Sequence, residues 1–530
     1  MIRGAKAILS LIQIAYVLFF IIIHCNTPTK STMQMKRRDF SKLGLIAGTG
    51  ALTGAGTLAG CKTTAEKNGG GFSADGSIYN EPGNKLTTRE FDVVVAGGGT
   101  AGVVAAIAAA RTGARTALIE AKGYPGGTVT EGGTAIHSFY NLWKAFPGVE
   151  KRQVVKGIPS ELIDRMITMG YCTGHAEMER GFDYDSVCTA LDTEVYKLVA
   201  FEMLVEAGVF VAVNTLAVGA VTEGSTLKGV IVESRSGREV FRGNAFVDCT
   251  AYGDLAAHAG TEFTVPDDYA SCNSIGLGNV DMDAYFAFLK KHDAVDQLAR
   301  GMRSGQEDQI VRLSGRNANL PEEYREEARK IGMSGTVTTT HHNYLMFVKF
   351  NCKVEGSVLN RDDVARAELI IRQNQLKGVE LFRKFLPGCK DAFIARTSPS
   401  LNIRRGRLIA CDYDITHEDV IEARHFDDEV FVYGFHDSAP RLQVKDGGTY
   451  GIPYRALRVK GMDNLCVAGM MITSDHRAHM STRNTVSSMA QGQAAGTAAA
   501  LCAAGDMGSR DLPYEKLRGQ LEQDGVYFET

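Results

Sequence analysis

Apolar positions fall along the chain in short blocks separated by glycine and polar residues, and one succession of blocks is distinctive. Phe91 to Ala96 (FDVVVA) is a Val-rich run of strand length. It passes straight into Gly97-Gly98-Gly99-Thr100-Ala101-Gly102. Val103 to Thr112 is rich in Ala and free of breakers, which predicts a helix ended by Gly113, and Thr116-Ala117-Leu118-Ile119 predicts a second strand closing on Glu120. Later blocks predict short strands of a small β-meander at Val209 to Val213, Leu216 to Thr222 and Gly229 to Ser234. Helices are expected over Glu322 to Lys330, Asp362 to Phe385 and, built of small residues, Ser487 to Ala500. Ala245 to Asp248 and Asn464 to Gly469 read as strands, the second ending in glycine.

Two apolar stretches precede this region. Ala7 to Ile23 is mostly apolar, at the short end for a membrane span. The second, weakly apolar and Gly/Ala-rich from Leu43 to Gly60, follows a basic segment with Arg37 and Arg38 adjacent. Basic start, apolar middle and small residues before Cys61 are the order of an export signal. Arg37-Arg38-Asp39-Phe40-Ser41-Lys42 resembles a twin-arginine signal, and Leu58-Ala59-Gly60-Cys61 resembles a lipobox whose Cys is acylated. These resemblances imply a leader over 1–60, with initiation at Met33 or Met35 or an N-terminal membrane helix as its rival. They imply export of a folded protein to the periplasmic face and a lipid anchor at Cys61. Residues 61–88 are polar and Gly/Ser/Asn-rich, as a tether would be.

Composition narrows the rest. With 44% hydrophobic and 22% charged residues the chain is not intrinsically disordered. A net charge of −3 gives no footprint for nucleic acid. The 58 glycines exceed the roughly 37 of average usage, and many fall in the leader and in Gly97 to Gly133. The 11 cysteines form no C-x-x-C pair and do not cluster with histidine at metal spacing, so no metal is expected.

Strand, glycine turn, helix, strand and acid fall where a bound dinucleotide needs them. Gly97 lets the chain leave the strand tightly, Gly99 lets backbone approach a pyrophosphate, and Gly102 lets the helix pack on the strands. Unpaired N–H groups at the helix start face the phosphates. Glu120, about 20 residues beyond Gly102, is placed to accept from ribose hydroxyls. A second glycine-dense loop, Lys122-Gly123-Tyr124-Pro125-Gly126-Gly127-Thr128, has no clear purpose in a nicotinamide dehydrogenase and points to FAD.

With VDCTAYGDLAAHAG, LNIRRGRLIACDYDITHEDV, YGIPYRAL, NLCVAGM and the STRNTV…AQGQAAGTAAALC helix, these pieces resemble the FAD-dependent oxidoreductases related to the heterodisulfide-reductase A flavoproteins, with a glutathione-reductase-type FAD fold. The resemblance implies an α/β fold: a discontinuous Rossmann-like FAD-binding domain (89–260, resuming at 450–515) with an inserted α+β substrate or cap domain (261–449) and a C-terminal tail (516–530). Gly97, Gly99, Gly102, Glu120, Gly126, Gly127, Thr128, Asp254 and Gly469 are the expected FAD contacts. The helix after Thr485 would aim its N-terminus at the flavin and favour negative charge there. Ala251, Met470, Arg405 and Gly406 depart from the residues usual in the family.

Substrate chemistry is sought where polar side chains gather. Arg404, Arg405 and Arg407 lie on an expected strand, Phe435-His436-Asp437 in a loop, and Asp475-His476-Arg477-Ala478-His479 ahead of Arg483. Hydride transfer to flavin N5 needs a base, for which His436 and His476 are the candidates. Arg404, Arg407 and Arg483 would grip an oxygen-rich group, unless the first two serve as structural ion-pair partners. The expected function is an exported FAD-dependent oxidoreductase acting on a small-molecule substrate such as a sugar, polyol or hydroxy acid, with the electron acceptor open. The rivals are an electron-transfer subunit, a fumarate-reductase-like reductase and a non-catalytic FAD-binding lipoprotein.

Overall fold

The computed structural model describes residues 71–529, except 73–76, 78, 82, 84, 133–135, 138, 142–147, 181–185, 269, 316–318, 335, 435–443 and 474. The leader, Cys61 and His436 therefore lie outside the described residues. The chain divides into a unit ending at Gly83 and a unit from Asn84 onward. In the first, Gly71–Phe72 pairs antiparallel with Tyr79–Asn80.

The larger unit is built on a five-stranded sheet of β1 (Val93–Ala96), β2 (Thr116–Ile119), β3 (Phe210–Ala212), β4 (Ala245–Asp248) and β5 (Leu465–Val467). The order is β5-β4-β1-β2-β3, and every neighbouring pair is parallel. β1, β2 and β4 are buried at every position, which is why they read as continuous apolar runs rather than as alternation. Helix α1 (Thr100–Arg111) connects β1 to β2, and Thr100 to Ala109 are all buried. Helix α2 (Thr193–Glu206) precedes β3, with Asp192 as N-cap accepting from the amides of Glu194 and Val195. The run from Val209, expected in the meander, instead supplies the edge strand β3. The meander consists of Leu216–Glu223, Thr226–Ser234 and Gly237–Arg242, with Thr87–Glu90 added parallel at its edge.

A second hydrophobic core lies around the long helix Arg361–Phe385, through Ile371, Val379 and Phe382. Around it are a six-stranded and a four-stranded antiparallel sheet. The six-stranded sheet takes Ile136–His137, Ala176–Arg180 and Val187–Thr189 from well before residue 261. Conversely Ile409 and Val430 to Tyr433 belong to the core of the parallel sheet, as do Tyr450 and Ile452 of the expected return. Residues of the expected 261–449 insertion thus contribute to both cores, with Val430 to Tyr433 buried throughout their strand. The last residues are likewise no tail: Tyr514–Gln523 is a helix that buries Leu517 and Leu521. Among the described residues no helix is long and apolar enough to cross a membrane.

Candidate active site

The glycine turn after β1 separates into two kinds of position. Gly97 has φ +94°, and a Cβ there would stand 2.5 Å from the Cys249 carbonyl oxygen. A Cβ at Gly98 would meet the Glu120 side chain at 2.9 Å, and one at Gly102 would lie 1.7 Å from the Gly97 oxygen. These three glycines are required by the protein's own packing. Gly99 is different: its nearest neighbour in the Cβ direction is the Gly127 Cα at 3.9 Å, so that direction is open. Gly99 is also the N-cap of α1 and gives no side-chain hydrogen bond, which leaves the first-turn N–H groups uncapped by it. Glu120 is only 8% exposed and accepts from the Gly98 amide at 2.8 Å and the Lys122 amide at 2.7 Å. Burial pushes its pKa up against those two bonds.

The second glycine loop folds onto the first. The Gly126 amide donates to the Gly98 carbonyl at 2.8 Å, and Thr100 Oγ1 to the Gly126 carbonyl at 3.4 Å. Gly126 and Gly127 have φ of +118° and +51°, and a Cβ on Gly127 would come within 2.8 Å of the Gly99 Cα. Thr128, exposed, opens the short helix Thr128–Gly132.

The C-terminal return closes the site. Gly469 follows β5 with φ +122°, has nothing within 4 Å in its Cβ direction, and donates its amide to the buried Gln491 at 2.7 Å. Two helices continue from here: α3 (His476–Thr482) and α4 (Thr485–Gly505). Gly492 and Gly496 of α4 sit on α1, where Cβ atoms would lie 2.2 Å from the Ala101 carbonyl oxygen and 2.1 Å from that of Ala105. The matched order of contacts makes the two helices parallel. Both N-termini therefore point to one end of the sheet, the end where β1 and β4 stop. Asn484 caps α4 without a side-chain bond to its first-turn amides, its Nδ2 donating instead to the Met480 and Ser481 carbonyls. Two positive helix ends and two open glycines, Gly99 and Gly469, thus face the same edge. This cradle fits an extended dinucleotide whose pyrophosphate lies at α1 and whose flavin lies toward α4.

Bonded to α3 lies the basic cluster. Arg404, Arg405 and Arg407 occupy a bend ahead of the short strand Leu408–Ile409 rather than the expected strand, because Gly406 packs on the Tyr252 ring. Asp268 joins two members: its carboxylate accepts from Arg405 Nη1 at 3.1 Å and pairs with His476 Nδ1 at 2.8 Å. His479, fully buried, bonds the Arg404 carbonyl through Nε2 at 3.0 Å. Burial first, then the charges of Arg483 and Arg405, pull the His479 pKa down to about 3. Arg407 turns away to Asp254, at 2.6 Å, and to the Tyr252 carbonyl. So two residues expected in different roles, Arg407 and Asp254, hold each other at the mouth of the short helix Asp254–His258. Ala251, where the family has glycine, adopts φ +69°.

Asp268 carried no local signal in the sequence, and the clustering at His479 and the strand ending at Asp248 did not disclose what those two side chains bond. Asp248 pins the turn after β4 by accepting from Thr250 and Ala256. The roles of Asp268 and His479 come from partners distant along the chain. Among the described residues no group of His, Cys, Asp or Glu is placed to hold a metal ion.

A depressed His479 pKa has a measurable consequence. Between about pH 3 and the ordinary value of 6.5, the unfolded chain binds a proton that the folded chain refuses. Stability should therefore fall as pH drops through that window, by up to about 1.4 kcal/mol per pH unit. Denaturant unfolding of the parent and of His479→Gln across the window checks this; the variant should show the shallower slope, and equal slopes would refute it.

A family model described as FAD dependent oxidoreductase matches residues 92–521. The chain is similar to a solved geranylgeranyl bacteriochlorophyll reductase-like protein of Thermoplasma acidophilum, at 14% identity and a TM-score of 0.42, over 82% of this chain and 83% of that one. It is similar also to a myxobacterial chondrochloren halogenase, described as a variant of the FAD-dependent halogenases, at 11% identity and a TM-score of 0.39, over 82% and 79%. The p-nitrophenol 4-monooxygenase of Pseudomonas putida gives 12%, 0.36, and 83% and 82%. No curated protein matches the chain.

Proposed function

The chain belongs to the FAD dependent oxidoreductase family, and from that premise we propose that it oxidises a small oxygen-rich substrate, a sugar, polyol or hydroxy acid, after export and anchoring through Cys61. FAD is its cofactor, and Gly97, Gly99, Gly102, Glu120, Gly126, Gly127, Thr128 and Gly469 are the residues assigned to hold it. When bound, FAD supplies hydride acceptance at N5. The observation that carries the reading is the Asp268–His476 pair beside Arg405, at the first residue of α3. A carboxylate holding Nδ1–H fixes the imidazole tautomer whose Nε2 can take a proton. In the proposed step the substrate C–H pair leaves as hydride while His476 accepts the hydroxyl proton. Arg404 and Arg483, on either side of His479, hold substrate oxygens and keep the C–H oriented. His436 stays a second candidate base.

The test is anaerobic bleaching of the visible flavin band by a panel of sugars, polyols and hydroxy acids. One class should bleach it, and His476→Ala should slow that reduction by roughly 10²- to 10⁴-fold. Arg404→Ala should raise the substrate concentration needed more than it lowers the limiting rate. A parental rate in His476→Ala removes it as the base, and a panel without any bleaching sinks the substrate class. The mass of the exported protein checks acylation at Cys61.

A further inference from the structure

The loop that carries Gly126 and Gly127 is not held by its own domain alone. At the far end of Thr128–Gly132, an arginine of the cap reaches across. Arg396, on the strand Phe393–Thr397, donates Nη1 to the Glu131 carbonyl at 2.9 Å and Nη2 to the Gly132 carbonyl at 3.0 Å. Nη2 also donates to the Met346 carbonyl of a neighbouring cap strand at 2.8 Å. Two hydroxyls repeat the pattern: Ser398 Oγ donates to the Glu131 carbonyl at 2.7 Å and Ser274 Oγ to that of Gly132 at 2.6 Å.

Two features are unusual for a surface ion pair. The guanidinium is largely buried, and no carboxylate pairs with it among the described residues; the Glu131 side chain is taken by Lys122. Its donors are spent on the last carbonyls of a short helix, which a cation at that end stabilises. The planar fork holds carbonyls on two chain segments in one fixed geometry, which the compact, rotatable ammonium of a lysine does not supply.

We propose that Arg396 is a positioning residue for the cofactor: a latch by which the cap holds the Gly126–Gly127 loop against the Gly97–Gly102 turn in the form that receives FAD. The contacts run without a gap. Arg396 fixes Glu131 and Gly132; the helix runs back to Gly127; Gly126 bonds Gly98, and Gly127 abuts Gly99. Release of the latch frees the helix end and leaves the loop to its bonds with Gly98 and Thr100. The inference rests on the FAD reading of the glycine turn and goes beyond it by giving the cap a share in cofactor retention.

The test uses full-length holoenzyme of the parent, Arg396→Lys, Arg396→Gln and the Ser274→Ala/Ser398→Ala pair. Free-flavin fluorescence after dilution reads FAD release. Hydrogen exchange reads the amides of Val129 and Glu131, which bond the Gly126 and Gly127 carbonyls. Both Arg396 variants should release FAD roughly ten- to a hundredfold faster, with faster exchange at those two amides and an unchanged thermal midpoint. The serine pair should fall between them and the parent. Parental release and exchange in both Arg396 variants overturn the latch. So does rapid release in Arg396→Gln alone, which would assign the effect to charge and not to the fork. If the arginine variants do not fold, parental behaviour of the serine pair overturns it instead. A parent chain that holds no FAD contradicts the cofactor reading, and exchange at Val129 and Glu131 still decides the latch.

Discussion

Gly99→Ala is expected to fold as the parent does and to bind FAD roughly a hundredfold more weakly, a loss of about 3 kcal/mol. The first half follows from the space around the residue. Its φ of −74° and ψ of −162° suit any amino acid, and the new methyl meets nothing nearer than 3.9 Å. Exchanging glycine for alanine at an N-cap costs about 1 kcal/mol or less. The second half follows because that open direction is where the pyrophosphate must approach the α1 backbone. Gly102→Ala is the contrast, since its methyl would lie 1.7 Å from the Gly97 oxygen and the turn itself must break. Titration of each variant with FAD, beside a denaturant midpoint, separates the two. Parental affinity in Gly99→Ala would place the phosphates elsewhere.

Gly492→Ala should destabilise the protein by about 3 kcal/mol, the upper part of the range for overpacking, and should lower bound FAD in proportion. The added methyl would stand 2.2 Å from the Ala101 carbonyl oxygen, and backbone cannot rotate aside as a side chain can. The two helices must separate, and α1 carries the phosphate-facing amides on the displaced turn. A denaturant midpoint and the flavin content of the purified variant measure both effects. A midpoint within error of the parent would mean that α1 and α4 have room to spare.

What the sequence disclosed follows from how local each device is. The turn at Gly97 to Gly102, the strands around it and Glu120 are written in one contiguous stretch, because a dinucleotide cradle needs one strand, one turn and one helix in succession. The small residues of α4 were visible too, but their purpose lay in α1, nearly 400 residues away by chain numbering. The cap was harder. Its sheet recruits Ile136–His137 and Ala176–Arg180, whose short lengths give too few residues for a period to declare itself. In the candidate active site, Arg405 and His476 were legible as clustered types, whereas Asp268, which joins them, sits in an unremarkable Pro-Asp-Asp segment. Arg396 was invisible for the same reason: carbonyls, its main partners, have no residue type.

The parallel seating of α4 on α1 also sets a clock. α1 leaves the ribosome nearly 400 residues ahead of Gly492 and Gly496. At about 5–20 residues per second, roughly 20–80 s separate the making of the two helices. During that interval the phosphate-facing half-site exists without the helix that seats it, and β5 is absent from the edge of the sheet. Completion of the cradle therefore waits for the synthesis of α4.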